Sequence, residues 1–169
     1  AAGTARLLAT RRYRAVISAG IAGGFLGRAP VGGTVLGTRS IAADLGAESP
    51  DGFLPVDELG FGSSIVECDP TLVKALAAAL PGAITGDVLT LSTVTGTAET
   101  AARLAARCPA AVAEAMEGYG VAVAAGVVPF AELRTISNPI GPRDRAAWRL
   151  REAFDALSTA SAALWTACG

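Results

Sequence analysis

Short runs of β-branched and aliphatic residues alternate along this chain with stretches of helical spacing, and that alternation constrains the fold more than any other feature. From Tyr13 onward the sequence reads strand, then helix, repeatedly. That is the pattern of an α/β domain with a mixed, mostly parallel central sheet. We expect one three-layer αβα domain spanning residues 1–169, an ordinary length for a single domain.

The individual elements follow from local signals. Residues 1–10 read as the body of a helix already under way, without an initiator Met. Tyr13 to Ala19 is a strand bounded by Gly20, and a glycine-rich turn runs from Gly20 to Gly27. Val35, Ile41 and Ile65 anchor short strands, and Ser49-Pro50-Asp51-Gly52 is a turn. Asp69 caps a helix with Pro70 at its first position, and Pro81-Gly82 ends it. Asp87 to Val94 is the next strand, and Thr95-Gly96-Thr97 leads into a helix through Arg107. Ala110 to Ala113 is a short strand, Met116 to Ala125 a helix, and Phe130 to Ser137 an alternating strand. Asn138 to Pro142 is a rigid turn. A last helix from Asp144 to Cys168 carries a stripe of Ala147, Leu150, Phe154, Leu157, Ser161, Leu164 and Cys168.

Composition then limits the chemistry. The chain has no His and no Gln, one Lys (Lys74) and one Asn (Asn138). Ser-His-Asp and Cys-His catalysis, His-ligated zinc and His proton shuttles are excluded. Lys74 lies in no phosphate-loop motif. A net charge of −1 with no basic stripe argues against nucleic acid. Cys68, Cys108 and Cys168 are far apart and form no CxxC, as expected of reduced thiols in a cytoplasmic protein. The longest apolar stretch, Val121 to Phe130, is far shorter than the ~20 residues of a membrane span. Chemistry must come from carboxylates, Arg, hydroxyls, Asn138 and backbone N–H groups.

Ligands of such sheets bind beyond strand ends, and four ends carry candidate residues. Gly20, Ala22 and Gly23 either form a tight turn or let backbone N–H groups approach a phosphate, sugar or carboxylate. Thr90 to Thr97 holds five hydroxyls, which suit strand propensity and helix capping. Met116 and Glu117 stand at a strand-to-helix junction, where a carboxylate is favoured by the helix dipole and can also accept two sugar hydroxyls. Asn138 precedes Pro139, which extends it, and its carboxamide can read a ring N–C=O edge.

Gly20-Ile21-Ala22-Gly23-Gly24, Ala115-Met116-Glu117-Gly118 and Arg134-Thr135-Ile136-Ser137-Asn138 together resemble the nucleoside phosphorylase and nucleosidase superfamily. Ser92 to Thr97 and Ser137 to Asp144 resemble its futalosine hydrolases in particular. The resemblance implies hydrolysis of the N-glycosidic bond of futalosine in menaquinone biosynthesis, with release of hypoxanthine. Asn138 and Glu117 would be catalytic, and Gly20, Ala22, Gly23, Val94, Thr95, Met116 and Ser137 would bind substrate. Glu117 would hold the ribose hydroxyls with Met116 against the sugar. Asn138 replaces the Asp of adenosine-type nucleosidases, which suits a 6-oxopurine. Glu114, one step from the usual acid position, is not carried over as a ligand. The resemblance implies no metal or cofactor, a small purine nucleoside substrate, no membrane and a homodimer or higher homo-oligomer. It also implies earlier strands, one bearing the acid that activates water, so that this chain reads as N-terminally truncated. The alternatives are a purine nucleoside phosphorylase, a methylthioadenosine/S-adenosylhomocysteine nucleosidase, or a degenerate nucleoside-binding subunit. A phosphorylase would need an anion site, for which Arg28 and Arg39 are candidates that read as loop surface charges.

Overall fold

A computed structural model describes residues 1–168, with side chains through Leu164. The first half comprises α1 (Ala2–Leu8), β1 (Val16–Gly24), β2 (Thr34–Ala42), β3 (Gly46–Ser49), β4 (Gly52–Pro55), α2 (Val56–Leu59), β5 (Ile65–Glu67) and α3 (Pro70–Ala79). The second comprises β6 (Ile84–Thr90), α4 (Ala98–Arg107), β7 (Ala111–Ala115), α5 (Gly118–Ala125), β8 (Phe130–Pro139) and α6 (Leu150–Cys168), with a 3-10 turn at Arg145–Ala147. None of these helices is long and apolar enough to cross a membrane.

The domain is α/β around a mixed sheet of order β5-β2-β6-β7-β1-β8. Its longest ladders, β1 with β8 and β2 with β6, are parallel. Thr34–Leu36 of β2 also pair antiparallel with Leu133–Thr135 of β8, which closes five strands into a ring. The seam between β1 and β7 is the weak point of that ring. It is stitched only at Gly23–Glu114 and Gly24–Ala113. Before Gly23, β1 and the chain beyond β7 part, and a cleft opens between them.

Helices α3 and α6 pack on each other and on the β2 and β8 side. Leu36, Leu76, Leu133 and Ala160 are buried there, and each such leucine contributes about 1.5–3 kcal/mol. Helix α5 covers another part of the sheet, with Ala122 and Ala125 against Phe130 and Cys68.

Several boundaries differ from the sequence reading, each for a physical reason. The expected turn at Gly20 is the middle of β1, because its glycines allow close approach within a strand. A Cβ on Gly20 would lie 2.8 Å from Arg134 Nη1, and one on Gly24 would overlap the Ala29 carbonyl. Val35 and Ile41 belong to one nine-residue strand. The Ser49–Gly52 turn joins a β-hairpin. Strand β6 begins at Ile84 and ends at Thr90, so Leu91 to Val94 are loop. Asn138 and Pro139 still belong to β8. Asp144 caps the 3-10 turn through Ala146 N (2.9 Å) rather than the last helix. On α6, Ala153 and Ala160 face the core while Leu150 and Phe154 are exposed. The side chain of Cys168, the last position of the expected stripe, lies outside the described residues.

Candidate active site

Glu117 stands at the N-cap of α5, yet its side chain makes no capping bond. The cap comes instead from Thr90, whose Oγ1 accepts from Tyr119 N at 2.9 Å. This frees the Glu117 carboxylate to turn toward β8, where Arg134 Nη1 donates to its Oε2 at 2.8 Å. Arg134 also donates through Nε to Glu132 Oε1 (2.9 Å) and through Nη2 to Ser18 Oγ (3.2 Å). The buried guanidinium thus joins one exposed carboxylate to one buried carboxylate. Burial pushes the Glu132 carboxyl up, against the opposing pull of Arg134.

These groups border the cleft at the parted seam, about 690 Å³ in volume, whose lining includes Ser18, Gly20, Ile21, Glu117, Arg134 and Phe154. Met116, half exposed, is adjacent to Glu117. On this side Gly20, Ile21 and Ala22 have no strand partner, while their other edge pairs with β8. Gly20 and Ile21 thus border the cleft with backbone that no strand covers on that side, whereas the Ile21 and Ala22 carbonyls are approached by Arg134 Nη1 (3.5 Å) and the Ser137 hydroxyl (3.2 Å).

Farther along β1, a bulge re-aims two β8 side chains. Ala22 pairs with Ile136 and Gly23 with Asn138, which leaves Ser137 as the extra residue. In a regular strand, Ser137 and Asn138 would point to opposite faces. Here the Ser137 hydroxyl lies 2.8 Å from Asn138 Oδ1 and 3.2 Å from the Ala22 carbonyl. Its single proton serves one of these acceptors at a time, and the shorter contact fixes the carboxamide. The Nδ2 end, which reaches the Pro139 carbonyl at 3.1 Å, keeps a second N–H for a ligand. Asn138 is half-buried.

Thr95, next to Val94, is tied to the β1–β7 seam through Glu114. Thr95 N donates to Glu114 Oε1 at 2.8 Å, and Thr95 Oγ1 to Oε2 at 2.5 Å. Glu114 is itself the residue paired with Gly23 across the seam. The 91–97 loop is thereby tied to the β1–β7 seam, and Val94 remains exposed. Val94 and Thr95 also border a second hollow of about 900 Å³ beside the β3–β4 hairpin. Gly23, Ser137 and Asn138 line neither hollow and stand along β1 and β8 beyond the cleft. Three of the five hydroxyls in the Thr90 to Thr97 segment have structural roles. Thr90 caps α5, Thr97 caps α4 through Thr100 N (3.1 Å), and Thr95 is the loop anchor.

The two arginines considered for an anion site are committed to the scaffold. Arg39 lies within β2 and pairs with buried Asp87 at 2.5 Å, pinning a bulge with Thr38. Arg28 donates to the carbonyls of Ala105, Cys108 and Ala111, holding the end of α4 and the start of β7. Sequence motifs do not single out Glu132, and they contain Arg134 only as the first residue of the Arg134–Asn138 run. The signal was present in the alternation Glu132-Leu133-Arg134, which places both charges on one face of β8.

The family model described as the phosphorylase superfamily matches residues 1–168. The chain is 57% identical over 152 residues to a futalosine hydrolase of Streptomyces coelicolor, covering 89% of this chain and 64% of that protein. It is 49% identical over 166 residues to a futalosine hydrolase of Acidothermus cellulolyticus, covering 95% of this chain and 68% of that one. It therefore spans about two thirds of the length of these relatives. Its fold is that of the native futalosine hydrolase of Helicobacter pylori, with a TM-score of 0.83 at 16% identity over 98% of this chain and 73% of that one. A methylthioadenosine/S-adenosylhomocysteine nucleosidase of Colwellia psychrerythraea, solved with adenine, gives a TM-score of 0.83 at 24% identity, covering 98% of this chain and 72% of that one. On the family match, which covers nearly the whole chain, the chain belongs to the phosphorylase superfamily.

Proposed function

We propose that the full-length protein hydrolyses the N-glycosidic bond of futalosine and releases hypoxanthine, with Glu117 and Asn138 as its catalytic residues. The observation that carries this reading is the pairing of an aimed, exposed carboxylate on a buried guanidinium with a carboxamide fixed by Ser137. The similarity to futalosine hydrolases supports the choice of substrate.

The chemistry follows from those two groups. As the bond between the sugar C1′ and the purine N9 breaks, its electron pair goes to the base and the sugar becomes an oxocarbenium-like cation. Glu117 accepts hydrogen bonds from the ribose hydroxyls, and these strengthen as the sugar turns positive, which is preferential binding of the transition state. Met116 packs against the sugar. Asn138 Nδ2 donates to N7 or O6 of the departing base, stabilising its negative charge without giving up a proton. An Asp at this position could protonate N7, which an adenine leaving group needs more than a 6-oxopurine does. Gly20, Ala22 and Gly23 present backbone to the nucleoside, and Val94 and Thr95 border the base. Water attacks C1′ and completes hydrolysis. Glu117 is the one carboxylate lining the cleft among the described residues, and it is taken up by Arg134 and the sugar.

The commitment of Arg28 and Arg39 to the scaffold favours water over phosphate as the nucleophile. The test is base release from futalosine, inosine and methylthioadenosine by the wild-type protein and by Glu117→Ala and Asn138→Ala. Futalosine should be the preferred substrate, and each substitution should lower kcat/KM by about 10²-fold or more. Unchanged turnover in both variants overturns the site assignment.

A further inference from the structure

The Glu132 carboxylate is fully buried, on a strand whose residues 130–137 are all buried. A packing role alone does not explain it, because desolvating a carboxylate is costly and an apolar residue would fill the same space. The surroundings are nevertheless shaped to admit it. Gly118, the residue after Glu117, lies so close that a Cβ there would overlap the Glu132 carboxylate. Gly37 packs against its stem, with a Cβ there 3.1 Å from the Glu132 Cβ. Ser40 lies alongside, short of hydrogen-bond geometry, and both Ser40 Oγ and Glu132 Oε2 are buried without a hydrogen-bond partner. The good bond that Glu132 makes runs from Arg134 Nε to its Oε1.

A guanidinium is planar, so holding two of its nitrogens fixes the direction of the third. Glu132 and Ser18 hold Nε and Nη2 from the inside, and Nη1 then points at Glu117 Oε2. We propose that Glu132 is a positioning residue, which holds the Arg134 guanidinium in the orientation that aims Glu117 at the sugar. The contact with Arg134 uses Oε2 of Glu117 and leaves its Oε1 free to accept a hydroxyl. The inference rests on the sugar-binding role given to Glu117 above.

The test compares inosine with 2′-deoxyinosine in the full-length protein, in wild type and in Glu132→Gln and Glu132→Met. Both replacements keep the volume, but only Gln keeps an acceptor for Nε. If Glu132 acts through Arg134 and Glu117, its loss removes the advantage of the 2′-hydroxyl and lowers turnover of the ribo substrate more than that of the deoxy substrate, which offers Glu117 only its 3′-hydroxyl. Glu132→Met should narrow the ribo-to-deoxy ratio of kcat/KM by about tenfold, and Glu132→Gln by about threefold. If Glu132→Met fails to fold, Glu132→Gln decides alone. An equal loss on both substrates, or an unchanged ratio, overturns the proposal and leaves Glu132 as packing. A wild-type protein with no preference for the 2′-hydroxyl is a separate result. It overturns the sugar-binding role of Glu117 and the proposal with it.

Discussion

Arg134 is 3% exposed and its ion-pair partner Glu117, 2.8 Å away, is 62% exposed. One half of this pair belongs to the scaffold and the other to the cleft, so the two should fail differently. Arg134→Met strands the Glu132 carboxylate without its cation and should cost about 3–5 kcal/mol of stability. Glu117→Gln removes a largely solvated charge and should cost no more than about 1 kcal/mol, while lowering turnover about 10²-fold. Urea unfolding beside steady-state kinetics on both variants separates the two effects.

Gly118→Ala tests the packing behind the site. Within a helix this change ordinarily stabilises, because alanine loses less backbone entropy. Here the added methyl overlaps the Glu132 carboxylate, and the sign should reverse. A destabilisation of about 1–3 kcal/mol is expected from such overpacking, read as a lower urea midpoint at unchanged slope.

Asn138→Asp supplies the proton that the carboxamide cannot. The ratio of kcat/KM for methylthioadenosine over futalosine should rise by about tenfold or more. The purine released from each substrate reports that ratio directly. No rise would detach Asn138 from base recognition.

Glu114 gives a pH dependence whose sign follows from its environment. Burial pushes its carboxyl up, while its bonds from Thr95 pull the other way and do not prevail. The folded state therefore holds this proton more tightly than the unfolded chain does. The associated stability is present below the ordinary carboxylate range and is lost as pH rises through the raised value. Glu114→Gln mimics the neutral form and should gain on wild type as pH rises, seen as a Tm difference that shifts in its favour between pH 4 and pH 8.

Much of this architecture was legible because short-range chemistry dictates it. Asp69 accepts from Leu72 N at 2.8 Å with Pro70 after it, as the cap signal requires. Thr97 caps α4, and Gly20, Gly23 and Gly24 mark a place where backbone meets other groups, although within β1 rather than in a turn after it. The losses came where distant strands decide. Alternation in residues 130–137 ordinarily marks a strand with one wet face. Here β1 and β2 flank β8 on both edges and helices cover it, so its polar face became a buried ion network of Glu132 and Arg134. Local spacing cannot report that closure. The Ser137 bulge is equally non-local, since it exists only against the register of β1. Asn138 has the sequence signature of a turn residue for the same reason: Pro139 signals a break, but the parallel pairing of Pro139 with Gly24 carries the strand through it.

The most direct measurement is hypoxanthine release from futalosine by the full-length protein as phosphate is varied. With Arg28 and Arg39 held by the scaffold, and with the roles proposed for Glu117 and Asn138, release should proceed at the same rate with phosphate absent or in excess. The sugar product should carry a free anomeric hydroxyl. Release that requires phosphate and yields a sugar 1-phosphate would contradict this account.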